Sequence, residues 1–266
     1  MSTKKLAEHG KRLPIGYVDE AGEAHRTFAL REWDWDLEER IGEELESTDV
    51  GAMQHVTQVV ACATKAIGKV DFAKLNHIQR LGLISRMYYS DVLMIYVWIR
   101  IESLGHALRL ETFTCERCRK PIDFVGDLRE LDVKEIDVKH ISRTVTLEKG
   151  VKYAGDVRKK LRVEPLRWAF FESSDFAAAM GNQAKFKLLA MQHGVAEVEG
   201  APTPACVTRE HVKTMSPREV MRVVREIDQC GGGVVMAIEG ECPHCKAAFE
   251  KEIDWRYGDF FGRSVP

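Results

Sequence analysis

Apolar residues recur along this chain at two spacings, and the spacing switches several times. Tyr17-Val-Asp-Glu-Ala-Gly22 followed by His25-Arg-Thr-Phe-Ala-Leu30 predicts a short hairpin around a glycine turn. Leu30-Arg-Glu-Trp33 then leads into an acidic helix from Asp36 to about Glu46. Val50, Met53, Val56, Val60, Ala63 and Ile67 follow at helical spacing, with Asp49 placed to cap them. Asp71 opens a further helix with Leu75, Ile78 and Leu81 on one face. Ser90-Asp91 starts the most apolar helix, Val92 to Ser103, which Gly105 terminates. From His106 to Thr114 the period becomes two, with Leu108 and Leu110 alternating with Arg109 and Glu111, as in a half-buried strand.

The second half runs through the same order. Asp156 to Val163 reads as a strand, and Leu166-Arg-Trp168 echoes Leu30-Arg-Glu-Trp33. A helical region from about Ala169 to His193 offers Phe170, Phe176, Met180, Phe186, Leu189 and Ala190 as core. Glu197 to Pro204 has the composition of a loop. Ser216-Pro217-Arg218-Glu219 is a strong helix start, with Ser as N-cap, Pro in the first turn and Glu reaching back. Val220, Val223, Val224 and Ile227 form the buried face of that helix, and Gly231-Gly-Gly233 ends it.

Each half closes on a Cys-x-x-Cys pair, Cys115/Cys118 and Cys242/Cys245, with a glycine ten positions before its first cysteine. A basic residue and a strand-like run follow each pair. The expected fold is therefore α+β, with two related helix–strand–knuckle units joined through a zinc-ribbon-like site. The units are residues 17–131 and 132–254, preceded by a flexible segment, 1–16, and followed by an aromatic tail, 255–266. A two-residue spacer lets one tight turn present two sulfurs to one ion, so each pair supplies half of a tetrahedral site. One structural Zn2+ held by Cys115, Cys118, Cys242 and Cys245 is the expected cofactor, although four thiolates suit iron as well. Two separate sites, each completed by a histidine such as His106 or His244, are an alternative. A thiol-redox role would place the pair at a helix N-terminus, and neither pair precedes a helix-like pattern. No nucleophile–base pairing or phosphate loop stands out, so an enzyme is not expected.

Composition narrows the field further. Of 266 residues, 45% are hydrophobic and 30% charged, as in a globular protein, and the net charge of −2 argues against broad capture of nucleic acid. Seven cysteines, four of them in knuckles, suit a reducing compartment. Met1 to His9 contains no apolar stretch, and the longest apolar run, Val92 to Ile99, is too short to cross a membrane. The expectation is a soluble intracellular protein. Cys62 reads as core, and the Asp34/Asp36 pair as an acidic helix start. Arg158-Lys159-Lys160 with Arg162 reads as the charged guard of a strand edge. Trp255, Arg256, Tyr257, Phe260 and Phe261 have the composition of an interface hot spot and are the expected partner-binding residues, unless they fold back onto the second unit.

Leu166-Arg-Trp168, Cys242-Pro-His-Cys245, Ile253 and Phe260-Phe261, in this order, resemble the T-even-phage type of baseplate hub and hub-assembly proteins. That family belongs to contractile phage tails and contractile injection systems. The resemblance covers mainly the second half, and the knuckle at Cys115/Cys118 departs from it. It implies a non-enzymatic structural or assembly component of a baseplate, with a metal held structurally. Its partners would be other tail proteins or a second copy, in the cytoplasm during assembly or within a virion or injection particle. The competing expectation is a zinc-ribbon nucleic-acid-binding regulator using Arg117, Arg119, Lys120 and Lys246.

Overall fold

The computed structural model describes residues 3–19, 21–46, 51–136, 141–201, 207–255 and 259–262. The chain begins with β1 (Thr3–Lys5), α1 (Leu6–His9), β2 (Arg12–Val18), β3 (Ala24–Leu30), α2 (Trp35–Glu46) and α3 (Ala52–Ala63). Next come β4 (Thr64–Ile67), β5 (Val70–Asp71), α4 (His77–Arg86) and α5 (Tyr89–Leu104). Five short strands follow: β6 (Ala107–Arg109), β7 (Phe113–Thr114), β8 (Pro121–Ile122), β9 (Val125–Asp127) and β10 (Asp132–Lys134). Then run β11 (Arg143–Tyr153), β12 (Asp156–Val163), α6 (Trp168–Glu172), α7 (Ser174–Ala179), α8 (Gln183–Gly194), β13 (Val195–Val198) and α9 (Arg209–Lys213). The chain closes with α10 (Pro217–Gly231), β14 (Gly233–Val234), β15 (Ala237–Glu241), β16 (Ala248–Glu252) and α11 (Asp259–Gly262). The fold is α+β, and every described strand pair is antiparallel.

Two small sheets share one connectivity. β3 pairs with β2 and, after α3, with β4; β12 pairs with β11 and, after α8, with β13. The first strand of each hairpin shifts register, between Arg12 and Tyr17 and between Thr146 and Val151. A glycine with positive φ sits in each irregularity, Gly16 at 106° and Gly150 at 86°, where a Cβ would be strained. A carboxylate from the first turn of a later helix clasps each bulge. The Ile15 and Gly16 amides donate to Asp91 Oδ1 and Oδ2 at 2.8 and 2.9 Å. The Lys149 and Gly150 amides donate to Glu219 Oε1 at 2.8 and 3.2 Å. Burial prevails over the two amides at Asp91 and pushes its carboxyl up to about 7. At Glu219 burial works the same way, but the Ser216 hydroxyl and the Lys149, Ser216 and Gly150 amides outweigh it and hold the carboxyl down to about 2.

The main core surrounds α5, in which Val92, Met94, Ile95 and Val97 are fully buried. A helix covered on all sides needs no polar face, which explains its continuous apolar run. This core reaches from Leu6 and Leu13 to Trp168, Phe170, Trp255 and Phe260. A second core, with Val145, Leu161, Met191, Val223 and Ile227, lies between the β11–β12–β13 sheet and helices α8 and α10. β10 pairs with both β1 and β14, so the expected boundary at 131/132 divides neither the sheets nor the main core.

Several expectations need correction. Residues 3–16 are not a flexible lead-in: β1 pairs with β10, and Leu6, Leu13 and Ile15 are buried, because their side chains close the main core and its margin. The α4 helix is capped by Asn76 in a capping box with Gln79, while Asp71 caps only a short 3-10 turn and Ile78 is 80% exposed. The α5 helix begins at Tyr89, with Tyr88 as its N-cap, one residue before the expected start at Ser90. Leu30 ends β3, whereas Leu166 lies beyond the end of β12, and the Leu-Arg-Trp echo is out of register. Leu166-Arg-Trp168 instead pairs with the chain ahead of α5: the Tyr89 amide donates to Leu166 O and the Trp168 amide to Met87 O. β12 is a central strand, not an edge. Arg158 pairs with Asp156, Lys160 with Glu199, and Arg162 with Glu164 and Glu197. Glu197 and Val198 belong to β13, while Asp49 and Val50 lie outside the described residues.

The tail folds inward. Trp255 and Phe260 are 8% and 1% exposed, so the surface expected of them is used up by the main core. Trp255 meets Tyr89 and Trp168, Phe260 stacks on Tyr96, and Phe261 on Trp33. Arg100, fully buried, donates to Phe260 O, Gly105 O and Ala107 O at 2.7, 2.6 and 3.1 Å. It ties the end of α5, the start of β6 and the terminal segment together. Arg256 and Tyr257 lie outside the described residues.

Candidate metal centre

The two knuckles are built alike. The Cys115 amide donates to Lys120 O and the Arg119 amide to Cys115 O, both at 2.9 Å. The Cys242 amide donates to Ala247 O at 2.8 Å and the Lys246 amide to Cys242 O at 2.9 Å. Arg119 and Lys246 adopt φ of 61° and 59°, the left-handed conformation that tightens each turn enough to aim two sulfurs at one point. A strand pair brackets each turn, β7 with β8 and β15 with β16. The sequence placed the basic residues here without revealing their backbone role.

The fold brings all four sulfurs into one group within 4.8 Å of one another. Cys115 Sγ lies 3.7 Å from Cys245 Sγ, and Cys118 Sγ lies 3.8 Å from Cys242 Sγ. A disulfide requires about 2.05 Å. A zinc tetrathiolate with bonds of about 2.3 Å has sulfur–sulfur edges of roughly 3.8 Å. The cross-knuckle distances are those of a tetrahedron around an ion, so the residues present fit the metal. Each close pair joins one knuckle to the other, as a single shared site demands. His244 stays outside, 3.2 Å from Pro121 O and exposed, and His106 Nδ1 lies 3.1 Å from Asp127 Oδ2.

Electrostatics agree with a cation at this point. Amides of Cys118 and Arg117 directed at Cys115 hold its thiol down to about 6. The Ala247 amide favours the Cys245 thiolate too, yet burial and the sulfurs of Cys118, Cys242 and Cys115 push that thiol up to about 11. One thiolate makes the next harder to form at this separation, and a divalent ion removes the conflict. Cys115 and Cys242 are buried, with Cys118 and Cys245 half-buried. Ile122 is fully buried beside them, and Phe249 meets Phe113 and Phe124 edge-on at 5.0 and 5.1 Å. The sequence signal of this aromatic jacket is the phenylalanine flanking each pair, Phe113 and Phe124 around one and Phe249 after the other. Helices follow neither knuckle, so the dipole that a redox pair uses is lacking. The cations Arg117, Arg119, Lys120 and Lys246 share the ribbon with Glu116 and the cross-strand pair Glu239/Glu250.

Asp19, Glu23 and His25 also lie within 4.8 Å of one another. Asp19 accepts the Ala21 and Glu23 amides and contacts His25, and Glu23 pairs with Lys69, so hairpin bonding accounts for them. Cys62 and Cys230 are buried core residues, and Cys206 lies outside the described residues. Asp34 Oδ1 accepts the Leu37 amide, a helix start without further chemistry. None of the described helices is long and apolar enough to cross a membrane. No family model, curated protein or solved structure matches the chain.

Proposed function

We infer that this chain is a non-enzymatic structural or assembly component of a contractile tail or injection-system baseplate, built from two related units clamped by one structural zinc. The single observation that carries the structural part is the shared four-sulfur group. Four protein thiolates complete a tetrahedral zinc and leave no position for substrate or water. Such an ion adds folding free energy and fixes the pose of the segments it joins.

Duplication is supported by paired details that spacing alone did not supply. Both halves run hairpin, helix, third strand, long helix and glycine before the knuckle, and a helix-start carboxylate clasps a glycine bulge in each. The Arg31 amide donates to Ala63 O and the Glu164 amide to Gly194 O, closing the strand–helix corner in the same way. The baseplate assignment rests on the resemblance of Leu166-Arg-Trp168, Cys242-Pro-His-Cys245 and Phe260-Phe261 to hub and hub-assembly proteins. Leu166-Arg-Trp168 and Phe260 are the residues that seat the second half and the terminus on α5, a structural use that suits such a part. The nucleic-acid reading has less behind it, because acidic residues interleave the ribbon cations and the chain's net charge is −2.

The test is metal content on protein purified without chelator, followed by co-purification with tail components. One zinc per chain, four thiols protected until chelation, and recovery with tail proteins are expected. A metal-free chain with a reactive dithiol would overturn the staple. Salt-sensitive retention on DNA without tail partners would replace the baseplate reading with the regulator.

A further inference from the structure

The chain carries two exposed surfaces of opposite character, and no described segment covers either. One is a cleft of about 640 Å3 between α8 and α10, where the two apolar cores meet. Leu166, Phe186 and Val224 line its apolar wall, and Met221, 44% exposed, stands at its edge. Lys187 and Arg225 line it as well, and Arg218 and Arg222 continue the exposed cationic face of α10. Among the described residues none of these four cations has an ion-pair partner. Asp228 is the one carboxylate lining the cleft.

The other surface is α2. Its inner side chains, Leu37 and Ile41, are buried in the main core. Outward it exposes Asp36, Glu38, Glu39 and Glu43, with Arg40 the only cation among the described exposed side chains of the helix. At its first position Trp35 is 74% exposed, a large aromatic without cover. A net charge of −2 hides this segregation into a basic face with an apolar hollow and an acidic face with an aromatic knob.

We propose that the α8–α10 cleft is a docking site for α2 of a second copy of this chain, with Trp35 entering the hollow and the α2 carboxylates facing Lys187, Arg218, Arg222 and Arg225. Tryptophan and arginine dominate interface energetics where they are desolvated together, and opposite potentials steer the encounter. A cleft of this volume accepts one indole with room to spare. The contact joins different patches of two identical chains, so it is heterologous and propagates head to tail, closing into a ring where the rotation permits. This supplies a partner for the protein–protein reading above, and its failure would leave zinc content and tail co-purification untouched.

Mass by light scattering and sedimentation on the full zinc-loaded chain, across concentration and salt, tests the proposal. Wild type should associate with rising concentration, and screening at 0.5 M salt should weaken it about tenfold relative to 0.05 M. Trp35→Ala and the double variant Arg222→Glu/Arg225→Glu should each weaken association by about tenfold or more while keeping wild-type melting. Mixing that double variant with a Glu38→Arg/Glu39→Arg chain should restore a heteromeric complex, which a merely damaged protein would not form. A wild type that stays monomeric at about 100 µM would overturn the proposal, since even a weak specific contact with a micromolar dissociation constant would be populated there. So would association that both variants leave unchanged.

Discussion

Replacing Cys242 with Ser should loosen the ribbon and lower the stability of the chain by several kcal/mol. Cys118 and Cys242 are 124 positions apart. Treating the ion as a cross-link, closure of a loop of that length in the unfolded chain is worth about 5 kcal/mol. An independent route starts from apparent zinc affinities of about 10–16 kcal/mol for structural sites. At a free metal concentration of ~10 µM these correspond to roughly 3–9 kcal/mol of added stability. The two routes overlap near 5 kcal/mol, which for a domain of this size means a fall of about 10–20 °C in Tm. Without the ion, the ribbon has only Cys115, Ile122 and Cys242 as its fully buried centre, too little to hold two hairpins. Ile238, which belongs to the main core and abuts Gly126 of β9, transmits part of the loss inward. Thermal melting and amide exchange, each with and without chelator, read the two levels separately. Wild type treated with chelator should match Cys242→Ser, with exchange protection lost first in β15 and β16. Melting of Cys118→Ser and Cys242→Ser within about 2 °C of wild type, with chelator inert, would refute the reasoning.

Three other outcomes follow from buried groups. Glu219 sits near 2 in the folded chain against 4.5 for an ordinary glutamate. Its stabilisation is therefore complete above about pH 4.5 and is lost as pH falls through 2. Denaturant melts should place Glu219→Gln roughly 2–3 kcal/mol below wild type at pH 7, with the gap closing toward pH 2; a gap independent of pH would contradict the assignment. Arg100→Leu leaves three carbonyls without their donor and should cost about 2–4 kcal/mol, read as a shifted urea midpoint, and an unchanged midpoint would show that water replaces the guanidinium. Phe260→Ala empties a space against Tyr96 and should cost about 3–5 kcal/mol. Truncation after Asp254 should be worse still and poorly soluble; a well-folded truncated chain that loses only partner binding would return the tail to the surface.

Local chemistry was the legible part of this protein. Ser216-Pro217-Arg218-Glu219 forms the capping box that those residue types demand, and Gly105 stops α5 because φ of 82° suits glycine. The knuckles were legible because a two-residue spacer leaves sulfurs few other uses. β11 is not legible in the sequence although Val145, Leu147, Val151 and Tyr153 mark one face of it, because the bulge at Gly150 breaks the period of two.

What the sequence by itself determined was the set of local elements and the donors of the metal centre, since spacing and capping act over a few residues. Tertiary structure alone decided that the two knuckles meet at sulfur separations of 3.7 and 3.8 Å. It also decided that Trp255 and Phe260 turn inward onto Tyr89 and Tyr96 instead of outward to a partner. Composition is the same for an interface and for a core, because both are desolvated aromatic surfaces. Only the position of α5, whose Tyr89 and Tyr96 receive these rings, and the bond from Arg100 to Phe260 O distinguish them, and those are long-range contacts that no window along the chain contains.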